Sequence, residues 1–135
     1  MPLRFEIGQR EMESGVVTFV RRDTGHKGTI KMSELLDDIR KELGSIQQNL
    51  FAKAKKFLDD NTHDISSYDE FKKIMETSRG FLKAFWCEDF ECEVKIKEET
   101  KASTRCLPLD AKEETGSCIY CGKSATHRWF FAQAY

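Results

Sequence analysis

Four cysteines in the second half of the chain have a residue type and spacing suited to metal binding. They form two pairs, Cys87 with Cys92 in a C-x4-C motif and Cys118 with Cys121 in a C-x2-C motif. A tetrahedral zinc ion takes four thiolate ligands, and it leaves no position for a substrate when all four come from cysteine. Gly122, directly after the second pair, suits the left-handed backbone that a tight metal-binding turn often needs. The two pairs therefore predict a structural zinc site in a small module.

Other interpretations of these thiols stay open from the residues alone. Some of the four could be small core residues, and His127 could replace one thiolate. The fifth cysteine, Cys106, lies in a strand-like segment, which favours a buried thiol over a ligand. Cys118 and Cys121 could also form a thiol-redox site, but such sites usually begin a helix, whereas this pair runs through Gly122 towards an aromatic strand.

The composition is that of a globular protein with one ordinary domain or two small ones. The chain has 135 residues, 39% hydrophobic and 33% charged, with 22 Lys plus Arg against 23 Asp plus Glu. Because the net charge is only -1, any RNA contact must come from local basic residues. The amino-terminal residues lack the features of a signal peptide, and no apolar run is long enough to cross a bilayer. We therefore predict a cytoplasmic location, reduced thiols and no membrane partner.

The first part of the chain, residues 1–60, is predicted to contain a small sheet followed by a long helix. Strands are expected at 3–7, 16–20 and 28–32, with a polar interruption at 8–15 and a hairpin turn at 23–25. Ser33 is expected to cap a helix that ends near 60–61. An apolar stripe at steps of three and four is expected to pack in the core, and it consists of Leu36, Ile39, Leu43, Ile46, Leu50, Ala54 and Phe57.

The second part, residues 61–135, is predicted to be a compact α/β unit. A capping box at 67–70 begins a short helix, and a second helix is expected over 88–100. Strands are expected at 81–86, 103–109 and 128–135. The predicted fold class is thus α/β (α+β): part of a mixed-sheet domain, a long linker helix, and a small zinc-stabilised α/β domain.

Basic residues cluster around the predicted hairpin, at Arg21, Arg22, Lys27 and Lys31. A solvated hairpin surface would explain them. Arginine and lysine at a hairpin tip can also contact phosphates and base edges of RNA. Charge alone leaves both interpretations open.

A series of short motifs follows in order along the chain: Pro2–Gly8, Val20–Thr24, Gln48–Phe51, Phe85–Cys87, Ile96–Thr100, Thr104–Pro108, Cys118–Gly122 and Phe131–Tyr135. Together they resemble the C-terminal part of prolyl-tRNA synthetases of the archaeal- and eukaryote-like form, over essentially the whole chain. The resemblance implies the end of an anticodon-binding domain with a linker helix in residues 1–60. It implies a zinc-binding C-terminal domain in residues 61–135.

This family consists of class II aminoacyl-tRNA synthetases, which activate proline with ATP and esterify it to tRNA(Pro). The resemblance implies that ATP and proline bind a catalytic domain upstream, so residues 1–135 should hold no catalytic residue and be inactive alone. Arg4 and Lys27 match residues that contact the guanines of the proline anticodon, and both side chains can donate to guanine O6 and N7. The resemblance also supports a zinc site formed by Cys87, Cys92, Cys118 and Cys121, with Cys106 outside it.

The implied partners are tRNA(Pro), the upstream catalytic domain of the same chain and, in the intact enzyme, a second copy; DNA is not among them. Tyr135 matches a family feature in which the C-terminus packs back towards the catalytic domain. The alternative from another class is a free-standing zinc-stabilised interaction module without an RNA role.

Overall fold

The computed structural model describes residues 1–134 and divides into two compact units, one up to Phe57 and one from Leu58 onward. The predicted role of Tyr135 lies outside the described residues. The α/β class is confirmed, since helices alternate with antiparallel and mixed sheets. Among the described residues, no helix is long and apolar enough to cross a membrane.

The first unit contains a three-stranded antiparallel sheet in the order β1-β2-β3, with bounds Leu3–Glu6, Val16–Arg21 and Lys27–Lys31. The three predicted strands and the hairpin are confirmed. The predicted polar interruption instead forms a short helix, α1 (Gln9–Ser14). The Glu11 carboxylate accepts a hydrogen bond from the Gly8 amide at 3.0 Å, and Gly15 ends the helix with a φ of 64°. These local contacts stabilise a helix without a buried face.

A long helix, α2 (Leu35–Asp60), follows a 3₁₀ turn over Met32–Glu34. Its end is as predicted, but Ser33 lies inside the 3₁₀ turn and is not the helix N-cap. The expectation that the apolar stripe packs in the core is wrong for most of its length: Ile46 is buried, whereas Leu36 is 74% exposed. A helix of 26 residues extends about 39 Å, and the sheet strands, six residues at most, extend only about 20 Å. The sheet of this unit therefore covers one section of the helix.

The second unit is a four-stranded mixed sheet with two helices and a separate two-stranded ribbon. Its elements are β4 (Thr62–Asp64), α3 (Tyr68–Glu76), β5 (Phe81–Phe85), α4 (Phe90–Thr100), β6 (Ala102–Cys106), β7 (Gly116–Ser117), β8 (Ser124–Ala125) and β9 (Arg128–Gln133). The sheet order is β4-β5-β9-β6, with β4 parallel to β5 and the other neighbours antiparallel. The predicted helices and strands of this unit are confirmed. The short strands β4, β7 and β8 were not predicted, because segments of two or three residues carry no periodicity.

The core of this unit lies between one face of the sheet and the two helices. It is formed by side chains at most 1% exposed, among them Leu82, Ala84, Phe131, Phe71, Met75 and Ile96. The Phe71 and Phe131 rings meet edge to face with centroids 5.4 Å apart. Alternation along β5 and β9 and the i, i+4 spacing on α3 bring these residues to one side.

Two local predictions in this unit are wrong. Ser67 precedes α3, but its side chain makes no capping hydrogen bond, so the capping box at 67–70 does not form. Cys106 is exposed rather than buried. The register of β6 against β9 shifts between Thr104 and Cys106, and this irregularity interrupts the alternation on which the prediction rested.

Candidate metal centre and nucleic-acid interface

The four cysteines of the two motifs come together at one point. Cys87 follows β5, Cys92 lies in the first turn of α4, and Cys118 and Cys121 lie on the loop between β7 and β8. Their four Sγ atoms lie within 4.8 Å of one another. The Cys87 Sγ is 3.7 Å from that of Cys92 and 3.6 Å from that of Cys121. A disulfide needs about 2.05 Å, so these are free thiols converging on a common centre.

These distances fit a tetrahedral metal site. With metal–sulfur bonds of about 2.3 Å, a tetrahedral zinc ion separates its sulfur ligands by about 3.8 Å. His127 does not join the group: its Nδ1 lies 3.0 Å from the Thr126 hydroxyl and 3.9 Å from Glu88. Cys106 also lies outside it. The donor set is therefore four thiols, which could hold a metal ion and would leave no open coordination position.

The second cysteine loop is a tight turn stabilised by its own backbone. The Cys118 amide donates to the Lys123 carbonyl at 2.8 Å, and the Gly122 amide donates to the Cys118 carbonyl at 3.0 Å. Gly122 has a φ of 74°, in the left-handed region expected for it. Asp89 joins this loop to the first, because one of its carboxylate oxygens caps α4 at the Glu91 amide and the other pairs with the Lys123 ammonium at 3.1 Å.

Side chains around the site fix the loop against both helices. The Tyr120 hydroxyl, between the two ligands of the second pair, donates to Glu99 on α4 at 3.2 Å. The Tyr68 hydroxyl on α3 donates to the other oxygen of the same carboxylate at 3.0 Å. The two rings meet edge to face at 5.2 Å. Position 116 also permits close packing, since a Cβ on Gly116 would clash with the Phe85 ring.

The surroundings of Cys87, Cys92 and Cys121 shift the pKa values of these thiols in different directions. Burial raises the pKa of Cys87 and that of Cys92. At Cys121 burial acts in the same direction, but the Lys123 amide and the neighbouring thiols outweigh it and bring the pKa to about 7. In the absence of metal, the Cys121 thiol thus ionises more readily than the thiols of Cys87 and Cys92.

The predicted RNA-binding residues lie in one row of the first sheet. Arg4 on β1 is opposite Val20 on β2, and Val20 is opposite Lys27 on β3. Directly opposed residues share a face of a sheet, so the two cations lie on the same side, two strands apart. Leu3, one position before Arg4, is buried on the other side with Phe19, Ile30 and Ile46. The Arg4 and Lys27 side chains are 64% and 61% exposed.

Glu6 lies between these cations, and the sequence-based reasoning missed it. One of its oxygens accepts from Arg4 Nη2 and the other from Lys27 Nζ, both at 2.8 Å. The pKa of Glu6 is lowered, chiefly by the hydrogen bond from Lys27 and next by that from Arg4. The period of two along β1, which places Glu6 on the face of Arg4, was the available signal.

Arg21, in the basic cluster around the hairpin, is not available to a ligand. Its guanidinium binds both oxygens of Asp23 and also bonds Glu42 and Ser45 on α2 at 2.9 Å. Asn49 donates to Asp23 at 2.6 Å, and the Asp23 side chain is only 1% exposed. The hydrogen bonds from Arg21 hold the pKa of Asp23 far below its ordinary value. This network fixes the hairpin turn to the helix and separates Arg21 in role from Arg4 and Lys27.

Comparison with known protein families shows to which class of protein the chain belongs. Residues 1–42, which contain the whole three-stranded sheet, match the family described as anticodon binding domain. Residues 68–135, which contain all four converging cysteines, match the family described as prolyl-tRNA synthetase, C-terminal. The chain therefore belongs to the prolyl-tRNA synthetase C-terminal family.

Individual relatives agree over the whole chain. It is 44% identical over 137 residues to a proline–tRNA ligase of Natranaerobius thermophilus. It is 42% identical over 135 residues to proline–tRNA ligase 2 of Clostridioides difficile strain 630, and 40% identical over 135 residues to proline–tRNA ligase 2 of Bacillus thuringiensis strain Al Hakam. In each case all of this chain is matched, but it spans only 28% of the relative.

Proposed function

We propose that this chain is the C-terminal, tRNA-binding portion of a proline–tRNA ligase, and that Arg4 and Lys27 read guanines of the tRNA(Pro) anticodon. The observation that carries the proposal is the row Arg4–Val20–Lys27, which presents two exposed cations on one face of a sheet. The match of residues 1–42 to the anticodon binding domain supports it. The relatives' names, which are those of proline–tRNA ligases, support it as well.

The cationic side chains of Arg4 and Lys27 can donate hydrogen bonds to the edge of a nucleic-acid base. Guanine offers two neighbouring acceptors, O6 and N7, to cationic donors, and each good pair contributes about 1–3 kcal/mol of discrimination. Anticodon bases are unpaired, so their edges are accessible to the exposed side chains of Arg4 and Lys27. Phosphate contacts by the same cations would give affinity without sequence preference.

Substitution of the two cations tests this proposal. Arg4→Ala and Lys27→Ala should each weaken binding to a tRNA(Pro) anticodon stem–loop by about 5- to 150-fold, corresponding to about 1–3 kcal/mol, and should reduce the preference over a stem–loop with adenines in place of the guanines. Binding is measured by heteronuclear NMR titration, which detects millimolar affinities. Arg40→Ala and Lys41→Ala are matched controls, since each removes an exposed cation paired with an acid three residues earlier.

Three results would contradict the assignment. Absence of binding by the unsubstituted chain is one, and equal effects of the test and control variants is another. The third is weaker binding to both stem–loops with a shallower salt dependence, because that pattern is typical of phosphate contacts. The first would favour the free-standing interaction module as the alternative function.

We also propose that Cys87, Cys92, Cys118 and Cys121 bind zinc, as a structural ion. The convergence of four Sγ atoms within 4.8 Å, two pairs of them at 3.6 and 3.7 Å, supports this identity. When bound, zinc would supply folding free energy rather than catalysis, on the order of 10 kcal/mol for structural sites. The thiol-redox alternative is disfavoured because Cys118 and Cys121 lie on a strand–strand loop and not at the start of a helix.

The remaining functions are proposed for other parts of the protein. ATP and proline would bind a catalytic domain beyond these residues, so the chain alone is expected neither to activate proline nor to charge tRNA. The complete ligase would act in the cytoplasm as a homodimer. These statements rest on the resemblance and on the names of relatives that are longer than this chain.

A further inference from the structure

Glu6 occupies the position between the two proposed RNA-reading cations with both of its carboxylate oxygens engaged. Oε1 accepts from Arg4 and Oε2 from Lys27, each at 2.8 Å, and the Glu6 side chain is still 39% exposed. Exposed ion pairs of this kind contribute little to stability. Stability therefore does not explain an acid at position 6, and a ligand that binds this face of the sheet explains it better.

We infer that Glu6 is a specificity-determining residue that accepts hydrogen bonds from the N1–H and N2–H₂ donors of a guanine whose O6 and N7 face Arg4 or Lys27. This inference rests on the function proposed above and extends it to a third residue. Guanine alone among the four bases combines neighbouring acceptors with donors on its Watson–Crick edge in this way. A carboxylate with two oxygens can accept from both donors, just as the cations donate to the acceptors.

The arrangement also disfavours the other purine. Adenine presents an amino donor where guanine presents O6, so that donor would face the donor groups of a cation. Adenine also lacks the 2-amino group for the carboxylate. Adenine would therefore lose a hydrogen bond both at the cation and at the Glu6 carboxylate.

The carboxylate has a second effect on the row. Its negative charge lies directly beside both cations, so it opposes the approach of phosphate groups to Arg4 and Lys27. Removing it should therefore have two opposite consequences. Binding through phosphate contacts should be kept or strengthened, while preference for guanine should be lost.

Inosine provides the direct test, because it keeps O6, N7 and N1–H and lacks only the 2-amino group. Anticodon stem–loops with guanine or with inosine at the guanine positions are titrated against the unsubstituted chain, Glu6→Ala and Glu6→Gln. The unsubstituted chain should bind the guanine form about fivefold to tenfold more tightly, in line with one net hydrogen bond. Glu6→Ala should bring this ratio to within about twofold of unity, and Glu6→Gln, which keeps one acceptor oxygen, should give an intermediate ratio.

Glu34→Ala is the matched control, since it removes an exposed acid 4.0 Å from Lys31, the last residue of β3, and makes the same change in net charge. It should leave the guanine-to-inosine ratio unchanged. The inference is overturned if the unsubstituted chain does not distinguish guanine from inosine. It is equally overturned if Glu6→Ala weakens binding but keeps the ratio, because Glu6 would then only position the cations. If Arg4→Ala and Lys27→Ala have no effect on binding, the proposed function itself fails.

Discussion

At the scale of single residues, the structure separates cations that the sequence shows as one cluster. Arg21 and Lys27 both belong to the hairpin, but Arg21 is 12% exposed and held by Asp23 and Glu42, while Lys27 projects from an exposed row. The sequence cannot make this distinction from residue type. It depends on Glu42 and Asn49 of a distant helix reaching the same turn.

The Asp23 network should make the first unit sensitive to acid. Because the folded pKa of Asp23 is depressed, its contribution to stability is complete above the ordinary aspartate pKa of about 3.9 and is lost progressively as pH falls below it. Asp23→Asn should therefore be less stable than the unsubstituted chain at pH 7, and the difference should shrink below about pH 4. Urea unfolding of both chains across pH 3–7 measures it.

Asp37→Asn is the control for this experiment, because that side chain is 77% exposed and its nearest cationic atom is 3.8 Å away. It should show little difference from the unsubstituted chain at any pH. A stability difference for Asp23→Asn that is constant from pH 3 to 7 would show that the carboxylate charge is not what fixes the turn.

At the scale of elements, the sequence identifies helices and strands well where periodicity is sustained, as in α2, α4 and β9. Prediction from the sequence fails where local contacts determine whether a helix forms. α1 forms from a polar segment because Glu11 and the two flanking glycines stabilise its ends. The length of α2 that is buried could not be predicted, since its partner sheet is shorter than the helix itself.

Two helix caps provide a contrast that sequence alone does not. Ser67 occupies the N-cap of α3 without a side-chain hydrogen bond, whereas Asp89 caps α4 and also pairs with Lys123 of the second cysteine loop. Asp89→Ala should therefore lower the melting temperature of the second unit clearly more than Ser67→Ala does. Thermal unfolding followed by near-ultraviolet circular dichroism tests this. Equal effects would contradict the role of Asp89 in joining the loops.

The cysteine site was predictable because its ligands come as two short motifs, while their convergence depends on β5, α4 and the β7–β8 loop.

We expect one zinc per chain by elemental analysis. Cys92→Ser should lose the metal and unfold the second unit, because the site supplies folding free energy. Cys106→Ser is the matched control and should retain one zinc, since Cys106 is exposed and outside the group. Equal metal content in the two variants, or none in the unsubstituted chain, would contradict the zinc assignment.

At the scale of the whole molecule, the family resemblance and the two compact units assign different roles to the two parts of the chain. The first unit carries the proposed RNA-reading row, and the second carries the metal-binding cysteines. The motifs allowed the family to be predicted from the sequence. Glu6, by contrast, became a candidate only when the sheet register placed it beside Arg4 and Lys27.

The most direct test of anticodon reading is to map an RNA complex residue by residue. A tRNA(Pro) anticodon stem–loop added to isotope-labelled chain should shift the NMR signals of Arg4, Glu6, Val20 and Lys27, and should leave the α3–α4 core of the second unit unchanged. The same stem–loop with adenines in place of the anticodon guanines should shift them much less. Unchanged signals in this row, or equal shifts with both RNAs, would contradict the account.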